Sequence, residues 1–456
     1  MKQNLAATGV AAFLAVTGGH AHADIDVVKN DKVNVEVYGI LDAAYGTVQH
    51  SLGINSQYSK SVNPVSPTVI NGSASTIAPA RQTGFFNGAI QDPRFGFKGS
   101  YDFGDGLNAF FTLEQGFNLT TGQANNSAAA LAQNGGVSTT AATGGSLDGQ
   151  LFNRQAFVGI AGDKFGSVTV NSNYAPIYDI VSQYDPVQYA QLFSPIGFSS
   201  SYGGGGGISE DARVHDSLKY SNKIGPINFG VLYKYRGAVG DTNAKSAYAL
   251  NAGYTEGNLG VQAAYQEFTD ALKGSPGTTA NTVAVSAYDT KAFIIAAKYE
   301  FNDAFTAKIG YETFTLSAAS DSIGTTASPL SSLNYFGQSI SKVTANTMIA
   351  PQKTNIIFIG GDYDFTSKFN LAAGIYDISL QQSSDYTPTS ASNTAAKTGQ
   401  ASGDQRYYSL LADYHFTQAF DVYAGLMYST YSGKAFPSAT YYQSNQIIAL
   451  GTRLTF

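Results

Sequence analysis

The strongest constraint on this chain is a period of two. Val33, Val35, Val37, Gly39, Leu41, Ala43 and Tyr45 alternate with Asn34, Glu36, Tyr38, Ile40, Asp42 and Ala44. Leu107, Ala109, Phe111 and Leu113 alternate in the same way with Asn108, Phe110, Thr112 and Glu114. Successive side chains of a strand point to opposite faces, so each segment has one apolar and one mixed face. Sixteen such segments can be placed, near residues 33–48, 93–101, 107–117, 152–161, 166–174, 213–221, 225–236, 245–254, 259–268, 289–301, 305–315, 353–365, 369–378, 405–416, 420–430 and 445–456. No segment shows a helical stripe longer than two turns. After residue 23 the apolar runs are short, such as Ala292 to Ala297, whereas a membrane-spanning helix needs about 18 or more apolar residues.

The connections alternate in length. Short turns contain Gly104-Asp105-Gly106, Gly162-Asp163-Lys164, Asn222-Lys223, Glu256-Gly257-Asn258, Asn302-Asp303, Thr366-Ser367 and Thr417-Gln418. Between them lie long polar stretches, such as 49–92, 118–151, 316–352 and 379–404. Structureless loops beyond ~15 residues argue against a compact soluble domain. They suit an outer-membrane barrel, with short periplasmic turns and long outer loops.

Composition agrees with one lipid face and one wet face. Charged residues are 13 %, against roughly 25 % in ordinary soluble chains. Aromatics reach 13 % while mean hydropathy is only -0.10. Tyr299 and Phe301, Tyr363 and Phe365, and Tyr414 and Phe416 each precede a short turn, the place of an interfacial aromatic girdle. A net charge of -6 gives no basic footprint for nucleic acid. The absence of cysteine excludes disulfides and thiolate metal sites. His50, His215 and His415 show no H-x-x-x-H spacing, so no metal site is expected. Gly-x-Ser-x-Gly is missing, and with it any sign of a nucleophile elbow. Gly203 to Gly207 lacks the strand, helix and lysine of a phosphate cradle. Neither an enzyme nor a cofactor is expected.

Met1 to Ala23 reads as an export signal: Lys2, a short apolar stretch from Leu5 to Val16, and an Ala21-His22-Ala23 cleavage site. Residues 24–456 are then one barrel domain.

Several stretches resemble the Gram-negative trimeric porins, especially the general porins of beta-proteobacteria. They are Val35 to Asp42, Arg94 to Gly99, Gly106 to Glu114, Phe152 to Gly159 and Phe165 to Val170. The terminal Phe456, with Leu454, Leu450 and Ile448 at alternate positions, is similar to that family's assembly signal. The resemblance implies an all-β, 16-stranded antiparallel transmembrane barrel whose third loop folds into the pore. It implies a Gram-negative outer-membrane location, a homotrimer, and passive diffusion of small hydrophilic solutes and ions. Contacts with outer-membrane lipid and lipopolysaccharide, and with the barrel-assembly machinery through the last strand, follow from it. A substrate-selective channel, or a barrel with an adhesin or structural role, is the alternative.

The family sets a ladder of Arg on the wall against acids of loop 3. Parity places Arg94 with Gly96 and Lys98, opposite Phe95 and Phe97. Arg154 shares a face with Ala156, opposite Phe157. Arg213 shares a face with His215, Ser217 and Lys219. All three Arg are thus expected on the lumen face as the basic side of the constriction. A charge on the lipid face near the midplane would cost ~2–4 kcal/mol. Loop 3, roughly 175–212, supplies Asp179 and Asp185 as the acidic candidates, with Glu210 and Asp211 weaker. Asp42, Glu114, Lys98, His215 and Lys219 are further lumen-lining candidates. The family's Gly-Arg pair after the fifth strand is here Asn171-Ser172, with Ser172 expected to point outward. That departure bears on a latch between subunits, whose partner would lie in loop 2, where Asp148 is the acid present.

Overall fold

The computed structural model describes residues 25–50, 54–55, 77–78, 81–120, 122, 151–197, 213–234, 246–276, 282–318, 334–335, 338–345, 351–383, 401–433 and 443–456. The proposed export signal lies outside these residues, as do Glu210, Asp211, Asp148 and the side chain of His215.

A closed 16-stranded antiparallel barrel forms. Its strands are β1 (Val33–His50), β2 (Arg94–Gly104), β3 (Leu107–Gly116), β4 (Gln155–Gly162), β5 (Gly166–Tyr174), β6 (Arg213–Ile224), β7 (Ile227–Lys234) and β8 (Ala247–Glu256). They continue with β9 (Leu259–Pro276), β10 (Thr282–Asn302), β11 (Phe305–Ala318), β12 (Gln352–Thr366), β13 (Phe369–Ser383), β14 (Ala401–His415), β15 (Phe420–Gly433) and β16 (Ser444–Thr455). Each neighbour pairs antiparallel, and β1 closes the ring on β16 from Ile40↔Thr455 to His50↔Asn445. All sixteen segments read from the alternation are present. No helix among the described residues is long and apolar enough to cross a membrane.

The seam explains the terminal motif. Phe456 N–H donates to the Gly39 carbonyl at 3.0 Å, and Gly39 N–H returns a bond at 2.6 Å. The Phe456 ring lies against Gly39, where any side chain would collide with it. Leu450, Leu454 and Ile448 point outward and are exposed. The girdle is also present. Tyr299–Phe301, Tyr363–Phe365 and Tyr414–Phe416 are outward edge-to-face pairs with centroids 4.8–5.0 Å apart.

Four features depart from simple alternation. First, Arg81–Asn87 pairs with the outer half of β1, while β2 pairs with its inner half. Between them, residues 88–93 leave the wall, turning at Gly88 with φ of +67°. Second, Gln338–Ala345, within a stretch expected to be a loop, runs parallel to Thr282–Ala287. Third, Pro176–Tyr184 is a helix, α1. It starts on Pro176, favoured in a helix's first turn. It buries Ile177, Ile180, Val181 and Tyr184 along one face, the i, i+3, i+4, i+7 stripe of an amphipathic helix.

Fourth, much of the inner wall is apolar. Ile294, Phe314, Ile356, Phe358, Ile378 and Met427 face inward and are buried. They pack with Ile177, Ile180, Val181, Val187, Leu192, Phe193 and Ile196 of loop 3 in one cluster. Strands β10 to β15 are therefore apolar on both faces where the loop covers them. A wet inner face holds only where loop 3 does not lie.

Candidate pore constriction

Loop 3 enters from the end of β5. Its helix packs against β9, β10, β8 and β11, and the Ile177 N–H donates to Gln266 Oε1 at 3.3 Å. Two wall glycines let the next residues lie flat. A Cβ on Gly360 or Gly374 would come 2.8 or 3.0 Å from Pro186. Further on, the Phe193 ring occupies the space above Gly425. The loop reaches the opposite side of the lumen at residues 88–93. There Leu192 N–H donates to Ala89 O at 2.8 Å, and Gln191 N–H to Ile90 O at 3.0 Å.

Three buried carboxylates hold this path. Glu114 is the first. Arg154 Nε donates to it at 2.7 Å, and Arg94 Nε lies at 3.4 Å. The hydroxyls of Tyr38 and Tyr174 donate to it at 3.0 Å each. Tyr174 is the residue from which loop 3 departs, so the cluster pins the root of the loop. Asp92 takes a further bond from Arg154 at 3.2 Å.

Asp185 is the second, and it is fully buried. Tyr376 Oη of β13 donates to it at 2.7 Å, Ser194 Oγ at 2.9 Å and Tyr189 N–H at 2.7 Å. Asp42 is the third. It accepts the N–H groups of Ala89, Ile90 and Gln91 at 3.3, 3.0 and 2.8 Å, and the Tyr423 hydroxyl. Asp42 thereby holds the segment on which the far end of loop 3 rests.

The predicted basic side divides. Arg94 and Arg154 point inward but are buried against Glu114. Arg213 is partly exposed and close enough to Tyr174 and Tyr189 to act on both electrostatically. Of the acids, Asp179 pairs with Lys219, which also donates to the Tyr174 carbonyl at 2.9 Å. That pair is partly exposed, whereas Asp185 is an anchor within the loop. Burial pushes the carboxyls of both Asp179 and Asp185 above their ordinary value of 3.8, with Lys219 opposing the shift at Asp179. Lys98 bonds Glu36 at 3.1 Å on the inner face below Arg94.

Arg154 and Ser172 depart from simple strand parity. Arg154 has the parity of Val158 and Ile160, which are 53 % and 49 % exposed on the outer face. It turns inward because the ladder ends at Gln155, just after Phe152 with φ of +62°. Ser172 is not outward-exposed but 2 % exposed. Alternation breaks there at Asn171, with φ of +92°, and at the register shift between Val214 and Ser217 on β6. Alternation alone did not reveal Asp92, Tyr174 or Tyr376. Pro93, just before β2, marks the break in the strand beside Asp92.

The family model for Gram-negative porins matches residues 7–434. An outer membrane porin protein of Bordetella pertussis is 25 % identical over 320 residues, covering 64 % of this chain and 77 % of that protein. Among solved structures, the anion-selective porin of Comamonas acidovorans matches with a TM-score of 0.58 at 15 % identity, over 93 % of this chain and all of that one. OmpT of Vibrio cholerae matches with a TM-score of 0.57 at 14 % identity, over 95 % of this chain and all of that one. The closed barrel agrees with the fold of these structures. The chain belongs to the Gram-negative porin family, and it is an outer-membrane channel for passive diffusion.

Proposed function

We propose that small hydrophilic solutes and ions pass between loop 3 and the wall formed by β2 to β7. The observation that carries this reading is the one-sided docking of the loop. Its apolar residues cover the apolar inner wall of β10 to β15, while Asp179, Lys219 and Arg213 stay partly exposed on the other side. Facing charges across a narrow neck favour hydrated polar solutes over apolar ones. Arg213 and the Asp179–Lys219 pair set charge preference. Arg94 and Arg154, paired with Glu114 and Asp92, contribute shape more than field. Liposome swelling with sugars of increasing size tests the reading. Swelling should fall with solute size, and size-independent exclusion of all sugars would refute it.

The mature barrel begins at Asp24 after removal of residues 1–23. It assembles as a homotrimer, an arrangement also named for a trimer form of Vibrio cholerae OmpT, with a TM-score of 0.54. The exposed outer face of Val158, Ile160 and Val170 supplies apolar wall for lipid or a neighbouring subunit. The outward pairs Glu267–Lys291, to which Tyr248 and Tyr265 also bond, and Asp377–Arg406 suit lipid and lipopolysaccharide headgroups. The strand ending in Phe456 is the element the barrel-assembly machinery would read.

A further inference from the structure

Near the short-turn end of the lumen, four strands bring polar side chains into one inward row. His415 of β14 lies opposite Asp421 of β15, Asp421 opposite Arg453 of β16, and Arg453 opposite Asp42 of β1. Asp413 lies on the same face, two residues before His415. Arg453 donates to Asp413 at 3.2 Å and to Asp421 at 2.6 Å. His415 Nδ1 lies 3.5 Å from Asp421 Oδ2.

Two observations go beyond an ordinary ion-pair network. The Oδ1 atoms of Asp413 and Asp421 are both buried and have no hydrogen-bond partner among the described residues. A buried acceptor left in that state costs ~1–3 kcal/mol, more for a charged group. The charges also do not balance. Among the described residues, Asp413 and Asp421 both pair with the guanidinium of Arg453, and the third buried carboxylate, Asp42, lies opposite it on the next strand. With His415 neutral, the row carries an excess of two negative charges, the amount one divalent cation cancels.

One donor atom each from Asp413, His415 and Asp421 lies within 4.8 Å of the others. Two carboxylates and an imidazole form a donor set that suits zinc and related divalent ions, with water completing the coordination. We propose that Asp413, His415 and Asp421 form a binding site for a single divalent transition-metal ion of the zinc type, at the periplasmic end of the lumen. His415 is the partly exposed member, so the ion enters past it from the periplasmic mouth. Arg453 keeps its bonds to the Oδ2 atoms, which orients the carboxylates and leaves their Oδ1 atoms for the metal. The ligands come from cross-strand neighbours on β14 and β15, so sequence spacing along one helix could not have shown them.

The test uses the mature, untagged protein folded in detergent. It is loaded with zinc and dialysed, zinc per chain is measured by mass spectrometry, and affinity by competition with a chromophoric chelator. The wild type should retain one zinc per chain. His415→Ala and Asp413→Asn should each bind at least ~10-fold more weakly while keeping the heat-modifiable migration of a folded barrel. A His50→Ala/His215→Ala variant should bind as the wild type does. If the alanine variant does not fold, His415→Gln carries the same prediction with nearly conserved volume. A folded wild type that retains no zinc, or a His415 variant that binds zinc as tightly, would overturn the site. Either result leaves the channel reading untouched, because conductance is not the readout.

Discussion

The Tyr376 hydroxyl donates to the Asp185 carboxylate at 2.7 Å, joining strand β13 to the turn that follows α1. The carboxylate is fully buried, and two further donors from within loop 3 complete its shell. This contact keeps the loop on one side of the lumen. Removing the hydroxyl withdraws one of three donors from a buried charge, at a cost of ~1–3 kcal/mol. Tyr376→Phe should therefore leave the barrel folded and raise open-channel current noise. Noise equal to wild type would show that the loop does not depend on this bond.

Glu114 is shared by Arg94 and Arg154. Glu114→Gln leaves two guanidinium groups buried against a neutral partner, and breaking a buried pair in this way costs about 3–5 kcal/mol. A lower midpoint in urea or heat unfolding of the detergent-folded protein is the expected result. Conservation of the midpoint would mean that water already solvates this cluster.

Arg213 should behave differently from the other two arginines. It is partly exposed, whereas Arg94 and Arg154 are buried. Arg213→Gln should move the reversal potential in a salt gradient toward cation preference with little change in unfolding midpoint. Arg94→Gln and Arg154→Gln should mainly lower the midpoint. Removing all three should add the two effects. An unchanged reversal potential in the triple variant would remove these residues from the ion path.

Gly425 accommodates the Phe193 ring. Gly425→Val fills that space, and overpacking of this kind costs ~1–3 kcal/mol. The ring must leave and carry the loop toward the open side. Single-channel conductance should fall, and the double variant with Phe193→Ala should recover it. Equal conductance in wild type and Gly425→Val would place the ring elsewhere.

The loop carboxyls give a pH dependence with a defined sign. Asp179 and Asp185 are raised above 3.8 chiefly by burial. The docked loop thus binds protons more readily than an undocked one. Its gain from protonation is fully present below the ordinary value and is lost as pH rises through the raised one. Lowering pH from neutral toward 4 should quieten open-channel noise, and Asp179→Asn/Asp185→Asn should flatten the response. Noise that increases on acidification in the wild type would reverse the assigned sign.

Much of the barrel is legible in the sequence because a lipid-facing strand must repeat every two residues. Leu450 and Leu454, or Ile357 and Ile359, can only face outward together. Alternation is a local rule, and it fails where the ladder breaks. Asn171, Phe152 and Gly88 turn the chain out of register, so Ser172 is buried where parity puts it outward, Arg154 reaches the expected lumen side although it shares the parity of outward Val158, and residues 88–93 leave the wall. Loop 3 was visible as an inward loop only through family resemblance. Its helix had the stripe Ile177, Ile180, Val181 and Tyr184, but over nine residues, little more than two turns. The anchoring roles of Asp185 and Asp42 depend on Tyr376 and Tyr423, partners 191 and 381 residues away. No spacing along the chain announces such pairs.

The central claim is an open, water-filled passage beside loop 3. Planar-bilayer recording of the purified protein tests it most directly. Insertion should produce discrete, nearly ohmic conductance steps of uniform size, and Gly425→Val should make them smaller. A folded, heat-modifiable protein that inserts without any conductance steps would contradict the account.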